Sequence, residues 1–281
     1  VPLIRYQIVS ILQNRFSLMY KTNFTLFYVL LFTLSIQISC SSDDPEPEQV
    51  RTFEDVENDF AAIDLAPGIH DIQLQILNGI EYHFRVIAPE RADGENRPMV
   101  LALHGATTQP GAEKNTACYV EPGLDTLRAF ILSPYGEGGL WFTDFNQEMI
   151  GTLMYLTQKY WPVEHDKIAV TGYSNGGNAS WLFSKFQSQT LSAAIPMASS
   201  YDVYELDGSV AVWDVPLYVI HGENDELFPL AQTQEWVQAT ADAGTDVTFV
   251  IAEDLGHYTP CEYVPYLKQA AIWLKETVWM E

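Results

Sequence analysis

The sequence predicts an α/β fold: a mostly parallel sheet of about eight strands, helices on both faces, and an antiparallel hairpin at its start. Three observations carry this. Short apolar runs alternate with longer amphipathic stretches from residue 98 onward, as strand–helix repeats require. Residues 72–87 read instead as two strands around a tight turn. Finally, residues 168–186 read as strand, one-residue elbow and helix around Gly172-Tyr173-Ser174-Asn175-Gly176.

In order, residues 72–77 and 80–87 flank Asn78-Gly79, the strongest short signal for a two-residue hairpin loop. Alternation in Tyr82-His83-Phe84-Arg85-Val86 suits a half-exposed antiparallel pair. Residues 98–103 form an unbroken apolar run, as a strand buried on both faces should, and end at His104-Gly105-Ala106-Thr107. Residues 129–133 read as the next strand, and 145–160 as a helix stopped by Trp161-Pro162. After the elbow come apolar strands at 191–197 and 215–220, the second running into His221-Gly222. A helix over 230–243 with Gly244 as its stop, a last strand at 247–251 and a closing helix over 263–278 complete the pattern. No internal repeat or second-domain linker interrupts it. Residues 199–214 are the only sizeable insertion after the elbow, so any lid is small.

The start of the chain reads differently. Residues 24–38 are an apolar run of about fifteen, too short for a comfortable membrane span and suited to a signal-peptide core. Lys21 supplies a positive flank, and Met19 is the expected start, with 1–18 as upstream sequence. The run closes on Ser39-Cys40, followed by Ser41-Ser42-Asp43-Asp44-Pro45-Glu46. This arrangement resembles a bacterial lipoprotein, cleaved before Cys40 and lipidated on it, although Gln37 departs from the usual aliphatic residue. The expected organisation is a signal peptide over 1–39, lipidated Cys40 with an acidic disordered tether over 40–62, and one folded domain over 63–281. The expected location is the bacterial cell envelope, with membrane contact only through the lipid.

At 281 residues the chain is long enough for one large domain with a substantial core. Fourteen Lys+Arg against 37 Asp+Glu give a formal charge of −23. That balance argues against a nucleic-acid partner and against charge-driven binding to anionic membranes.

In a sheet of this kind, functional groups collect beyond the carboxyl ends of the strands. His104-Gly105-Ala106-Thr107 lies there, as do Ser174, His221-Gly222-Glu223-Asn224-Asp225 and Gly256-His257. A nucleophile, an acid and a base thus occur in the order Ser174, Asp225, His257. The elbow explains its own residue types. Ser174 must occupy a strained turn that throws its hydroxyl clear of the sheet, and side chains at Gly172 and Gly176 would collide across so tight a bend. The helix that starts there aims its amides and dipole at a developing oxyanion.

At this point the chain resembles the α/β-hydrolases over roughly residues 70–280. Its H-G-x-x-D-x-x-x-P segment (His221 to Pro229) followed by G-H-x-x-P (Gly256 to Pro260) is similar to the esterase branch that holds carboxylesterases, acyl-protein thioesterases, feruloyl esterases and polyhydroxybutyrate-depolymerase-like enzymes. Two departures stand out: Asn175 where the thioesterases carry Gln, and Ala106-Thr107 where they carry Leu-Gly-Asp. The resemblance implies Ser174 as nucleophile, His257 as base and Asp225 as its orienting partner. It implies an oxyanion hole from the backbone N–H groups of Asn175 and Ala106, with Thr107 as a lesser second donor.

Other residues have plainer readings. His104 and His221 each precede glycine at a strand end and suit structural bonds to backbone, while His70, His83 and His165 suit the surface. Asp202, Asp207 and Asp214 are rival acids, but Asp225 follows a strand and its turn ends in Pro229. Trp141 and Phe142 either line an acyl or aryl pocket or simply pack their own loop. Cys118 and Cys261 are either a disulfide bracing the catalytic edge or two free thiols. No H-E-x-x-H, C-x-x-C, Asp-rich loop or phosphate cradle occurs, so neither metal nor cofactor is expected. The expected function is hydrolysis of small-molecule or polysaccharide-linked carboxylic esters, or thioesters, through an acyl-serine. A serine peptidase on the same fold and a catalytically silent binding protein are the alternatives.

Overall fold

The computed structural model describes residues 50–280. Helix α1 (Phe53–Ala61) precedes strands β1 (Gly68–Gln75), β2 (Glu81–Ala88) and β3 (Arg97–Leu103), then α2 (Ala117–Gly123) and β4 (Phe130–Pro134). Next come α3 (Asp144–Tyr160), β5 (Val163–Tyr173), α4 (Asn175–Phe186), β6 (Ala193–Met197) and β7 (Leu217–Asn224). Helix α5 (Leu230–Asp242), β8 (Val247–Gly256) and α6 (Val264–Trp273) follow. The strands form one sheet in the order β1-β2-β4-β3-β5-β6-β7-β8. The β1–β2 and β2–β4 pairs are antiparallel, and every pair from β4–β3 to β7–β8 is parallel.

Strand periodicity builds two cores. Successive side chains point to opposite faces, so Met99, Leu101 and Leu103 of β3 join one apolar cluster while Val100 and Ala102 join the other. Strand β7 divides the same way, Leu217 and Val219 against Tyr218 and Ile220. The first cluster is closed by apolar residues of α1, α3, α4 and α5, the second by those of α2 and α6. Helices therefore cover both faces, and every parallel strand delivers its carboxyl end to one common edge.

The structure departs from the sequence reading in four places. Residues expected in the disordered tether form α1. Thr52 caps it reciprocally with Asp55, and Val56 and Phe60 are fully buried, with Phe60 stacked on Trp161 at 5.0 Å. Burying two such side chains contributes about 1.5–3 kcal/mol each, which offsets the polarity of the flanks. The hairpin loop is longer than two residues, because Ile76 donates its N–H to Ile80 O and encloses Leu77-Asn78-Gly79. Strand β8 runs on to Gly256, so the last histidine follows it directly. The closing helix changes at Leu274 to a wider turn, Leu274–Val278, in which the Trp279 N–H reaches back to Leu274 O. That turn seats Trp279 with its indole N–H on Ser192 Oγ at 3.0 Å. Cys40 and the expected signal peptide lie outside the described residues.

Candidate active site

Ser174 stands between β5 and α4 with φ 57° and ψ −120°. For a non-glycine residue that backbone costs about 1–3 kcal/mol, so it persists only where its surroundings hold it. They do so from both sides: Ser174 N–H donates to Met197 O at 3.0 Å, and Asn178 N–H donates to Ser174 O at 2.9 Å. The two flanking glycines answer to close approach. A Cβ at Gly172 would meet the backbone of Gly176, as expected, but one at Gly176 would strike the Leu103 and His104 carbonyls of the neighbouring strand end. Gly176 thus lets α4 start hard against β3.

The three expected residues meet. His257 Nε2 lies 2.9 Å from Ser174 Oγ, and His257 Nδ1 lies 2.9 Å from Asp225 Oδ2. The Asp225 side chain is wholly buried and that of His257 is 5% exposed. The other Asp225 oxygen accepts the N–H groups of Leu227 and Phe228 at 2.9 and 2.7 Å. Burial would push the Asp225 carboxyl upward. The bond from His257 and those two amides outweigh it and hold the group below the usual carboxylate range. An ionised Asp225 sets Nδ1 as the protonated nitrogen, leaving Nε2 to accept from the serine hydroxyl. The rival acids are elsewhere: Asp202 and Asp207 each cap a turn within the insertion, and Asp214 pairs with Ser188.

The backbone around His257 is also fixed. Its N–H donates to Glu226 Oε2 at 2.7 Å, and its carbonyl accepts the Tyr173 hydroxyl at 2.5 Å. One turn away, Glu223 accepts the Asp254 N–H at 3.0 Å. Two carboxylates, Glu223 near the end of β7 and Glu226 just beyond it, therefore grip the end of β8. Glu226 went unnoticed at the level of sequence, where it is one of 37 acidic residues.

The segment expected to supply an oxyanion hole lies against Ser174. A Cβ at Gly105 would stand 3.5 Å from Ser174 Cβ, so Ala106 follows the residue that borders Ser174. Neither the Ala106 nor the Asn175 N–H meets an acceptor among the described residues. His104 is buried and structural, as its position suggests: Nδ1 bonds Gly105 O at 2.7 Å and Nε2 accepts the Gly136 N–H at 2.9 Å. Those bonds require a neutral ring protonated at Nδ1, and burial lowers its pKa accordingly.

Trp141 does not line a pocket. It is 1% exposed, its ring lies 4.7 Å from that of His104, and its indole N–H donates to His104 O at 2.8 Å. Its backbone N–H donates to Asn175 Oδ1 at 3.0 Å. The amide beside the nucleophile therefore anchors the 136–142 loop, and Asn146 clamps the same loop through Glu137 and Leu140. Phe142, at 40% exposed, remains available to a substrate.

The chain aligns over most of its length with a fluorophosphonate-binding serine hydrolase of Staphylococcus aureus at TM-score 0.61 and 14% identity, covering 74% of this chain and 99% of that one. The fold is that of the α/β-hydrolases. A thermostable esterase aligns at TM-score 0.57 and 21% identity over 73% of this chain, which spans only 62% of that protein. A ferulic acid esterase aligns at TM-score 0.56 and 18% identity, covering 73% and 97% of the two chains. The sequence model of the dienelactone hydrolase family matches residues 146–280, a span that contains Ser174, Asp225 and His257. A search of curated sequences finds no significant match.

A disulfide between Cys118 and Cys261, 143 positions apart in sequence and 5.2 Å apart between Cα atoms, braces this sheet edge. Their sequence context, with no helical or strand pattern around either, suggests loops for both cysteines. Cys118 instead lies in α2, and Cys261 in the 3₁₀ turn Pro260–Tyr263 that begins three residues past His257. The bond ties α2, which follows the His104–Thr107 segment, to the turn that follows His257.

Proposed function

We propose that this chain is a serine hydrolase that cleaves carboxylic esters or thioesters through an acyl-Ser174 intermediate. The observation that carries the reading is the single imidazole of His257 within hydrogen-bond reach of both Ser174 Oγ and an ionised, buried Asp225. Ser174 Oγ attacks the substrate carbonyl carbon as His257 Nε2 takes its proton, and the carbonyl oxygen becomes an oxyanion facing the Asn175 and Ala106 N–H groups. Collapse of the tetrahedral adduct breaks the bond to the alcohol or thiol, which leaves with the proton from His257. Water then attacks the acyl-serine by the same route, releasing the acid and restoring Ser174. Asp225 stabilises the imidazolium and stays ionised throughout.

Exposed Leu140, Phe142, Leu227 and Tyr258, on the loops that carry or adjoin the site, favour small or aryl-acyl groups. We propose further that the protein is exported, with Cys40 as its lipid anchor. The Cys118–Cys261 disulfide is consistent with such an oxidising compartment.

The test is hydrolysis of p-nitrophenyl acetate, butyrate and octanoate and of a feruloyl ester, by wild type and by Ser174→Ala. Nucleophilic catalysis predicts a loss on the order of 10⁴-fold or more in the variant. Equal rates for the two proteins on every ester would end the proposal.

A further inference from the structure

The sheet edge that holds Ser174 and His257 carries a cleft beyond them. It measures about 370 Å³ and is lined in part by Ile80, Glu81, His83, Tyr135, Glu137 and Phe145. Strand β2 runs antiparallel to β4, so its amino end opens on the edge where β3, β4 and β5 present their carboxyl ends. In the strand order the cleft lies two to three spacings from Ser174, about 10–15 Å at the usual strand separation. The loop between them is the one pinned by Asn146 and Asn175.

The lining is chemically mixed. Among the described residues nothing pairs with the Glu137 carboxylate, although its backbone N–H and carbonyl are both held by Asn146. Glu81 Oε2 stands 3.6 Å from His83 Nε2, beyond hydrogen-bond length, and both side chains are well exposed. The Tyr135 ring lies edge-on to His83 at 6.4 Å. Ile80 and Phe145 add apolar surface. Carboxylates only accept hydrogen bonds, imidazole can do either, and an aromatic ring offers a flat apolar face. A hydroxylated ring matches all three, because its hydroxyls both donate and accept while its C–H face is apolar. Two carboxylates repel an anionic ligand. A simple ammonium ion would leave the imidazole unused.

We propose that this cleft binds a neutral pyranose-type sugar belonging to the non-reacting portion of the ester substrate. The proposal rests on the ester-hydrolase reading above.

The experiment compares wild type with Tyr135→Leu, Glu81→Gln and Glu137→Gln on two substrates, p-nitrophenyl acetate and an acetylated neutral xylo-oligosaccharide. The variants are expected to keep both kinetic constants on the small ester within about twofold while raising KM on the oligosaccharide about tenfold. Calorimetric titration of Ser174→Ala with the unesterified oligosaccharide should show saturable binding that Glu137→Gln weakens. The proposal is overturned if the variants shift both substrates alike or if the oligosaccharide does not bind. It is also overturned if spermine binds in a Glu81- and Glu137-dependent way where the sugar does not. The two readings fail separately. Absence of all esterase activity would sink the hydrolase reading, while the titration of Ser174→Ala reads the cleft alone.

Discussion

At the scale of single residues, the site depends on side chains that never touch substrate. Glu226 holds the backbone N–H of His257, so Glu226→Ala should lower kcat several-fold with KM little changed. Glu226→Gln keeps an accepting oxygen and should recover most of that loss; identical kinetics for wild type and Glu226→Ala would remove the residue from the account. Asp225→Asn should cost on the order of 10³–10⁴ in kcat, because an amide cannot favour the needed tautomer or stabilise the imidazolium. Two other histidines add to the acid sensitivity of the fold. Burial lowers the pKa of both His104 and His221, so between those folded values and the ordinary value near 6.5 the unfolded chain binds more protons. Their contribution is full above that ordinary value and is lost as pH falls through the window. The urea midpoint should therefore fall from about pH 7.5 to about pH 5.5, and His104→Asn should show a shallower fall. A midpoint in the variant that tracks wild type at every pH would contradict this. The bonds to Asp225 act lower still, since its depressed pKa keeps its contribution until more acid conditions.

At the scale of elements, the two halves of the machinery are held by different devices. The loop proposed to supply the oxyanion hole is held by His104, Trp141 and the Asn175 side chain. Asn175→Ala leaves the backbone N–H in place but frees the 136–142 loop, which should raise KM for aryl esters more than it lowers kcat. The base is held by Glu226, by Tyr173 and, through the turn beyond it, by the disulfide. Closing a loop of that length removes about 5 kcal/mol of chain entropy from the unfolded state. Reduction should then lower Tm by roughly 10–20 °C, measured by scanning calorimetry with and without reductant. A Cys118→Ser, Cys261→Ser protein melting with the oxidised wild type would refute the brace. The elements themselves were largely legible. Apolar runs mark β3, β5, β6 and β7, because a strand buried on both faces leaves no polar position to blur them. Helix α1 was missed: its signals, a Thr52–Asp55 capping box and Phe53, Val56 and Phe60 at helical spacing, are short and lie in an acidic stretch, and only the folded core shows that Val56 and Phe60 dock.

At the scale of the whole molecule, Ser174 and His257 are separated by 83 residues, and Asp225 and His257 by 32. One sheet edge unites them. That union could be anticipated because each residue follows an apolar strand, and parallel strands share their carboxyl edge. The supports were hidden for a physical reason. Glu226, Asn146 and the task of Trp141 depend on loop paths that no periodicity encodes, and aromatic residues next to a site read alike whether they face solvent or the core. The central claim is the covalent one, that an acyl group passes through Ser174. The most direct measurement is intact and peptide mass spectrometry after rapid acid quench of wild type with p-nitrophenyl acetate. The account predicts one acetyl group per chain, on the peptide holding Ser174, appearing with the burst of nitrophenol and absent from Ser174→Ala. Turnover of the ester with no acyl group on that peptide, or the same labelling in Ser174→Ala, would contradict it.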